Sequence, residues 1–197
     1  MLQELRKEIC DANRRLPATG LVALTWGNVS GIDRTQGIFG IKPSGTDYQE
    51  LKPSDIVLLD LEGQVVEGTL NPSSDTRTHP ELYRAWPEIG GITHTHSPAA
   101  TSLAQAGRNL PCYGTSHADH FHGTVPLCRA LTPEEIDEDY EKNTGLAIVD
   151  HFARKDINPI HVPGVLQLHH APFTWGKTAD NSLDNSIALE MSARMAI

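Results

Sequence analysis

Cysteine is scarce in this 197-residue chain: Cys10, Cys112 and Cys128 are the whole set. The number is odd and no pair stands at C-x-x-C spacing. That argues against a disulfide framework and for a reducing compartment, with all three as small buried apolar residues. Long apolar runs are missing too. None approaches the roughly 20 residues that a membrane span needs. The first ten residues, "MLQELRKEIC", are charged throughout, where a secretory signal would be apolar. Basic charge is in deficit, with 16 Lys and Arg against 25 Asp and Glu and a net charge of −9. No basic stripe is present, so nucleic acid is not an expected partner. A phosphorylated small molecule is not excluded, because a local pocket decides that and net charge does not. Repeats, linkers and low-complexity segments are absent as well. The expectation is one cytoplasmic domain, residues 1–197, with no membrane contact.

What is present alternates between helical and strand patterns. Leu2, Leu5, Ile9, Ala12 and Leu16 recur at helical spacing, and Pro17 is expected to stop that helix. "LVALTWGNVSGID" and "GIFGIKP" read as strands, and "DIVLLDLEGQVVEG" as a hairpin around Glu62-Gly63. A helix follows "PSSDTRT" and runs to about Trp86, then a strand "IGGITHT" and a helix "PAATSLAQAG". Residues 111–125 look irregular. Thr132, Pro133 and Glu135 form a helix-start signature, and the helix they open carries Gly145, where a bend is expected. "GVLQLHHAPFTWG" reads as a strand into a loop, and "TADNSLDNSIALEMSARMAI" as a final helix. The sum is a mixed α/β domain, a hairpin-rich sheet with helices on its faces.

Three constellations carry chemistry. In "GGITHTHSPAA", His94 and His96 stand two apart at a strand end, so both rings face the same way. The pair alone fits either a shared metal ion or two solvated polar side chains. His170 is a third imidazole at a strand end, and Asp75 in "PSSD" offers a carboxylate. Three His and one carboxylate suit a divalent transition metal, Zn²⁺ first, with Mn²⁺ or Co²⁺ as substitutes. His79, His151 and His161 read as ordinary helix or loop residues. The second constellation is "TWGNVS", "KPSG" and "PSSD", loops whose small residues let backbone N–H groups approach an anion, with Lys42 adding charge. The third is "GTSHADHFHG", where His117, Asp119, His120 and His122 crowd one irregular segment suited to acid–base work or simply to solvation.

Taken in order, "LTWGNVS", "IKPSG", "PSSDT", "GGITHTHS", "GTSHADHF" and "APFTWGK" resemble the class II aldolase/adducin-head family, most closely its L-ribulose-5-phosphate 4-epimerase branch. The resemblance spans residues 1–197. It implies a three-layer α/β/α fold around a mostly antiparallel sheet, assembled as a homotetramer with active sites at subunit interfaces. It implies zinc ligands at Asp75, His94, His96 and His170, with His169 the less suited of its pair. Phosphate-binding positions fall on Gly27, Asn28, Ser44, Gly45, Ser73 and Ser74, with Lys42 adjoining, and Asp119 matches the catalytic acid/base.

The implied reaction inverts C4 of a ketopentose phosphate, L-ribulose 5-phosphate, to give D-xylulose 5-phosphate. C4 is not acidic, so the family breaks and remakes the C3–C4 bond, with zinc as Lewis acid. The family also draws a Tyr from a C-terminal tail of a neighbouring subunit, and none of Tyr48, Tyr83, Tyr113 or Tyr140 matches it. Because the last helix runs to Ile197 without a cap, a missing C-terminal tail is expected. His120 (where the branch usually has an aromatic), Leu168 and Ala171 are further departures. Two other readings share the resemblance. One is a fuculose- or rhamnulose-phosphate type aldolase, although those tend to carry Glu at the position of Asp75. The other is a metal-free interaction module like the adducin head, against which the ligand set argues.

Overall fold

The computed structural model describes residues 2–197. Its strands are β1 Asn28–Asp33, β2 Ile38–Ile41, β3 Val57–Asp60, β4 Val65–Glu67, β5 Gly91–His94, β6 Leu127–Cys128, β7 Gly164–Gln167 and β8 Pro172–Gly176. Its helices are α1 Leu2–Thr19, α2 His79–Ala85, α3 Pro98–Gln105, α4 Thr115–Ala118, α5 Pro133–Arg154 and α6 Ala179–Ala196. The strands form one sheet in the order β4-β3-β2-β1-β5-β8-β7-β6. Every pairing between them is antiparallel except β6 with β7.

Alternation along the strands builds the layers. Val57 and Leu59 face α2 and α5, packing with Leu82, Tyr83, Ile148 and Phe152. Leu58, between them, faces α1 and α6 with Ile9, Leu16 and Leu183. In β7, Val165 joins the first cluster, and Leu166 meets Leu103 of α3 and Leu189 of α6 on the other side. The fold is therefore α/β/α around a mostly antiparallel sheet, as the family resemblance implies.

Several local expectations change. Pro17 does not stop α1, which continues to Thr19. A proline in the last turn removes only one backbone donor. The end is closed instead by Thr19 Oγ1 donating to Leu16 O at 2.6 Å and by Gly20 in the left-handed region at φ +72°. Residues 21–27 are not strand. Leu24 (φ +54°) and Gly27 (φ +89°) interrupt the extended backbone, so β1 starts only at Asn28. Residues 115–118 form the short helix α4 inside a segment that reads as irregular. Cys112 lies exposed beside it, although Cys10 and Cys128 are buried as expected.

Helix α5 breaks at Asp139 (φ −167°, ψ 85°) and not at Gly145. Asp139 Oδ1 accepts from the Lys142 N–H at 3.2 Å, the geometry of an N-cap for a second helical segment. Gly145 serves contact instead, because a Cβ there would stand 2.7 Å from Thr78 O and 2.8 Å from Glu81 Cβ. "GVLQLHHAPFTWG" is two strands, β7 and β8, joined by a tight turn.

Candidate functional site

The sheet register assembles the site. Asn28 of β1 pairs with His94 of β5, which pairs in turn with Phe173 of β8. Cα partners share a face, so the His94 ring stacks on Phe173, centroids 4.1 Å apart. His96 lies just past the end of β5, its ring 5.0 Å from that of His94. His170 comes from the β7–β8 turn, closed by its N–H donating to Gln167 O at 3.0 Å. Position i+2 of that turn is His169 at φ +63°, a conformation such turns require. His169 therefore points to solvent and His170 reaches the site, with its ring 4.8 Å from His94 and 5.1 Å from His96. The turn separates the two neighbours.

One nitrogen from each of His94, His96 and His170 falls within 4.8 Å of the others. His94 Nδ1 lies 3.0 Å from Pro172 O. Donation there leaves the Nε2 lone pair facing the cluster, the arrangement of a metal-ligating imidazole. Burial lowers the pKa of His94 to about 3, with help from neighbouring His96, and also lowers those of His96 and His170. All three rings are neutral at pH 7, with lone pairs available. His94 Nε2 and His96 Nε2 stand only 3.1 Å apart, and His170 Nδ1 is buried without a partner. Three neutral imidazoles converging on one point fit a divalent ion; the expected fourth ligand, a carboxylate, lines the same cavity but does not join this close cluster.

That carboxylate is Asp75, on the 3-10 turn Ser74–Arg77. Asn28 Nδ2 donates to Asp75 Oδ2 at 2.6 Å and to Ser73 Oγ at 3.2 Å. Lys42 follows β2, only 2% exposed, and makes no ion pair with any described carboxylate. Its Nζ sits 4.7 Å above the Tyr48 ring and donates to Pro43 O. Burial lowers its pKa to about 8. A buried cation without a counter-charge is costly and favours an anion beside it. The loops around it are tied together: Ser73 N–H donates to Lys42 O and Ser44 N–H to Asn71 O. Gly27 completes the wall. A Cβ there would stand 2.9 Å from His94 O, so only glycine lets the two backbones approach.

Gly27, Asn28, Lys42, Ser44, Gly45, Ser73, Ser74, Asp75, His94, His96 and His170 all line a single cavity of about 350 Å³. A family model described as "Class II Aldolase and Adducin N-terminal domain" matches residues 7–197. The chain belongs to that family. Among its relatives is the L-ribulose-5-phosphate 4-epimerase UlaF of Salmonella paratyphi B, 48% identical over 195 residues, or 99% of this chain and 85% of that protein. Among solved structures, an L-fuculose 1-phosphate aldolase is 28% identical with a TM-score of 0.82, covering 98% of this chain and 84% of that one. An L-fuculose-1-phosphate aldolase from Thermus thermophilus shares the fold at 23% identity and a TM-score of 0.75, covering 99% of this chain and 94% of that one.

In this class II aldolase family member, Asp119 stands apart from the cavity. It is exposed at the end of α4 and lines a different hollow with Glu88, Trp175, Gly176 and Lys177. Those residues cluster where Gly91 pairs with Gly176, the end of β5–β8 opposite His94 and Phe173. Its neighbours are engaged elsewhere: His120 Nδ1 lies 3.1 Å from Asn185 Oδ1, and buried His117 bonds Gly123 O through Nε2. His122 pairs with His161, backbone N–H to carbonyl.

Beyond the residues singled out by number, the cavity also holds Thr25 and Trp26 of the "TWGNVS" loop and Pro43 of "KPSG", and it holds Tyr140 and Glu141, which sequence reasoning does not place there. Trp26 belongs to the "TWGNVS" stretch, its ring 6.0 Å from His96. Tyr140 and Glu141 sit in an acidic run with no outward signal except Asp139, a capping residue type in mid-helix. His79 is not the ordinary helix residue that its sequence context suggests. It is fully buried behind the site, its Nδ1 2.7 Å from Ser30 Oγ, with its Nε2 unpartnered.

Proposed function

We propose that this protein is a zinc-dependent L-ribulose-5-phosphate 4-epimerase that interconverts that substrate and D-xylulose 5-phosphate. One observation carries the reading: a buried unpaired lysine and a neutral imidazole triad with a carboxylate open onto one small cavity. The 48% identity to an epimerase supports the same choice of substrate. A lysine beside loop N–H groups suits a phosphate, and the triad lines the same cavity.

His94, His96, His170 and Asp75 are the residues that would hold the ion. When bound, a divalent ion supplies Lewis acidity toward the substrate's carbonyl and hydroxyl oxygens. Asn28 orients Asp75 through its 2.6 Å bond. Lys42, Gly27, Ser44, Gly45, Ser73 and Ser74 hold the phosphate on C5. The C3–C4 bond breaks, its electron pair passing into the C2 carbonyl system while the C4 hydroxyl loses its proton. The two-carbon aldehyde phosphate turns about its anchored phosphate, and bonding to its other face gives the epimer. Asp119 serves as one of the two proton-transfer groups. Because it sits at the far end of β5–β8, it would act on the cavity of a neighbouring copy in a homotetramer with interfacial sites. The three free thiols suit the reducing cytoplasm.

The test is conversion of L-ribulose 5-phosphate by wild type and His96→Asn, with zinc content measured in both. Activity and zinc falling together in the variant support the reading. Equal activity in both would sink the ligand assignment. Net release of dihydroxyacetone phosphate from a deoxyhexulose 1-phosphate by wild type, with no epimerisation, would make it an aldolase.

A further inference from the structure

Tyr140 reaches the cavity through an unusual construction. The backbone leaves the helix at Asp139 and restarts, so Tyr140 and Glu141 are the first residues of the second segment of α5. Asp139 holds the restart by accepting from Lys142 N–H, and its other oxygen takes Arg77 Nη1 at 2.9 Å. Thr78 Oγ1 donates to Glu141 O at 2.7 Å. Gly145, one turn on, presses against Thr78 O, where a Cβ would stand 2.7 Å away. These contacts fasten α5 to the Ser74–Thr78 segment, which carries Asp75. The result sets the half-buried Tyr140 ring 5.7 Å from the His170 ring, lining the same cavity as Lys42 and the triad. The break lies immediately before Tyr140, and the contacts of Glu141 and Gly145 with Thr78 hold the restarted segment, and Tyr140 with it, against the cavity.

We propose that Tyr140 is a substrate-contacting residue, its phenol hydrogen-bonding a hydroxyl of the sugar chain and its ring forming the wall beside His170. The proposal rests on the sugar-phosphate reading above. A ring that only packed against His170 would need no hydroxyl, which gives the test its edge.

The experiment compares wild type, Tyr140→Phe and Asp139→Ala as zinc-loaded proteins. It reads zinc stoichiometry, KM and kcat for L-ribulose 5-phosphate, and calorimetric binding of the C2-reduced pentitol 5-phosphate, which cannot undergo C3–C4 cleavage. Loss of one neutral hydrogen bond is expected to weaken analogue binding and raise KM in Tyr140→Phe by about three- to tenfold, with zinc content unchanged. Asp139→Ala, which frees the restart, is expected to weaken analogue binding at least as much. Analogue affinity and KM unchanged in Tyr140→Phe would overturn the proposal, as would a zinc loss that accounts for the whole effect. If wild type binds the analogue but does not epimerise, and Tyr140→Phe still binds it more weakly, the contact stands and the reaction assignment falls.

Discussion

Asn28 and Asp75, 47 positions apart in the chain, meet through a 2.6 Å hydrogen bond from the Asn28 amide to Asp75 Oδ2. The same amide also reaches Ser73 Oγ. One side chain therefore joins the loop suited to an anion and the carboxylate suited to a cation. Groups that orient a ligand in this way typically change metal affinity or activity by about 10- to 100-fold when removed. Asn28→Ala is expected to weaken zinc binding by about that factor, measured by competition with a chromophoric chelator. Unchanged affinity would show that Asp75 needs no orienting partner.

Gly145→Ala sets two magnitudes against each other. Alanine is favoured over glycine inside a helix by about 1 kcal/mol. The added Cβ would stand 2.7 Å from the Thr78 carbonyl O and 2.8 Å from Glu81 Cβ, atoms that cannot move aside without moving backbone. Overpacking of this kind costs about 1–3 kcal/mol or more. The clash outweighs propensity, so the variant should unfold at lower urea concentration than wild type. A midpoint equal to or above wild type would mean that α5 moves away at little cost.

His79 gives a pH dependence with a definite sign. Burial pushes its pKa from the ordinary 6.5 down to about 4. Between those values the unfolded chain takes up a proton at this site and the folded chain does not. Acid therefore favours unfolding: the contribution is fully present above about pH 6.5 and is lost as pH falls toward 4. In metal-free protein, stability by urea titration should fall across this window. His79→Gln should unfold at pH 5 with about one proton fewer taken up. The same slope in both proteins would show that the buried ring does not govern this response.

The layers were legible because they depend on local period. Val57, Leu58 and Leu59 alternate between faces whatever lies above or below them, and Thr132-Pro133 with Glu135 starts a helix by its own hydrogen bonds. Features set by a distant partner were not legible. Gly145 looks like a weak point in a helix until Thr78 is placed against it. Pro17 looks like a stop until Thr19 and Gly20 close the helix end beyond it.

The sequence by itself determined the residue types of the site. His94 and His96 share a face because side chains along a strand repeat every two residues, and glycine and serine loops with one lysine suit a phosphate by composition alone. Only the tertiary structure decided which residues meet. Register placed Asn28 beside His94, a tight turn selected His170 over His169, and a helix restart brought Tyr140 to the cavity. The packing of α4 left Asp119 at the opposite end of β5–β8. Spacing along the chain fixes direction over a few residues. Distance across a sheet depends on pairings tens of residues apart, and no local pattern encodes them.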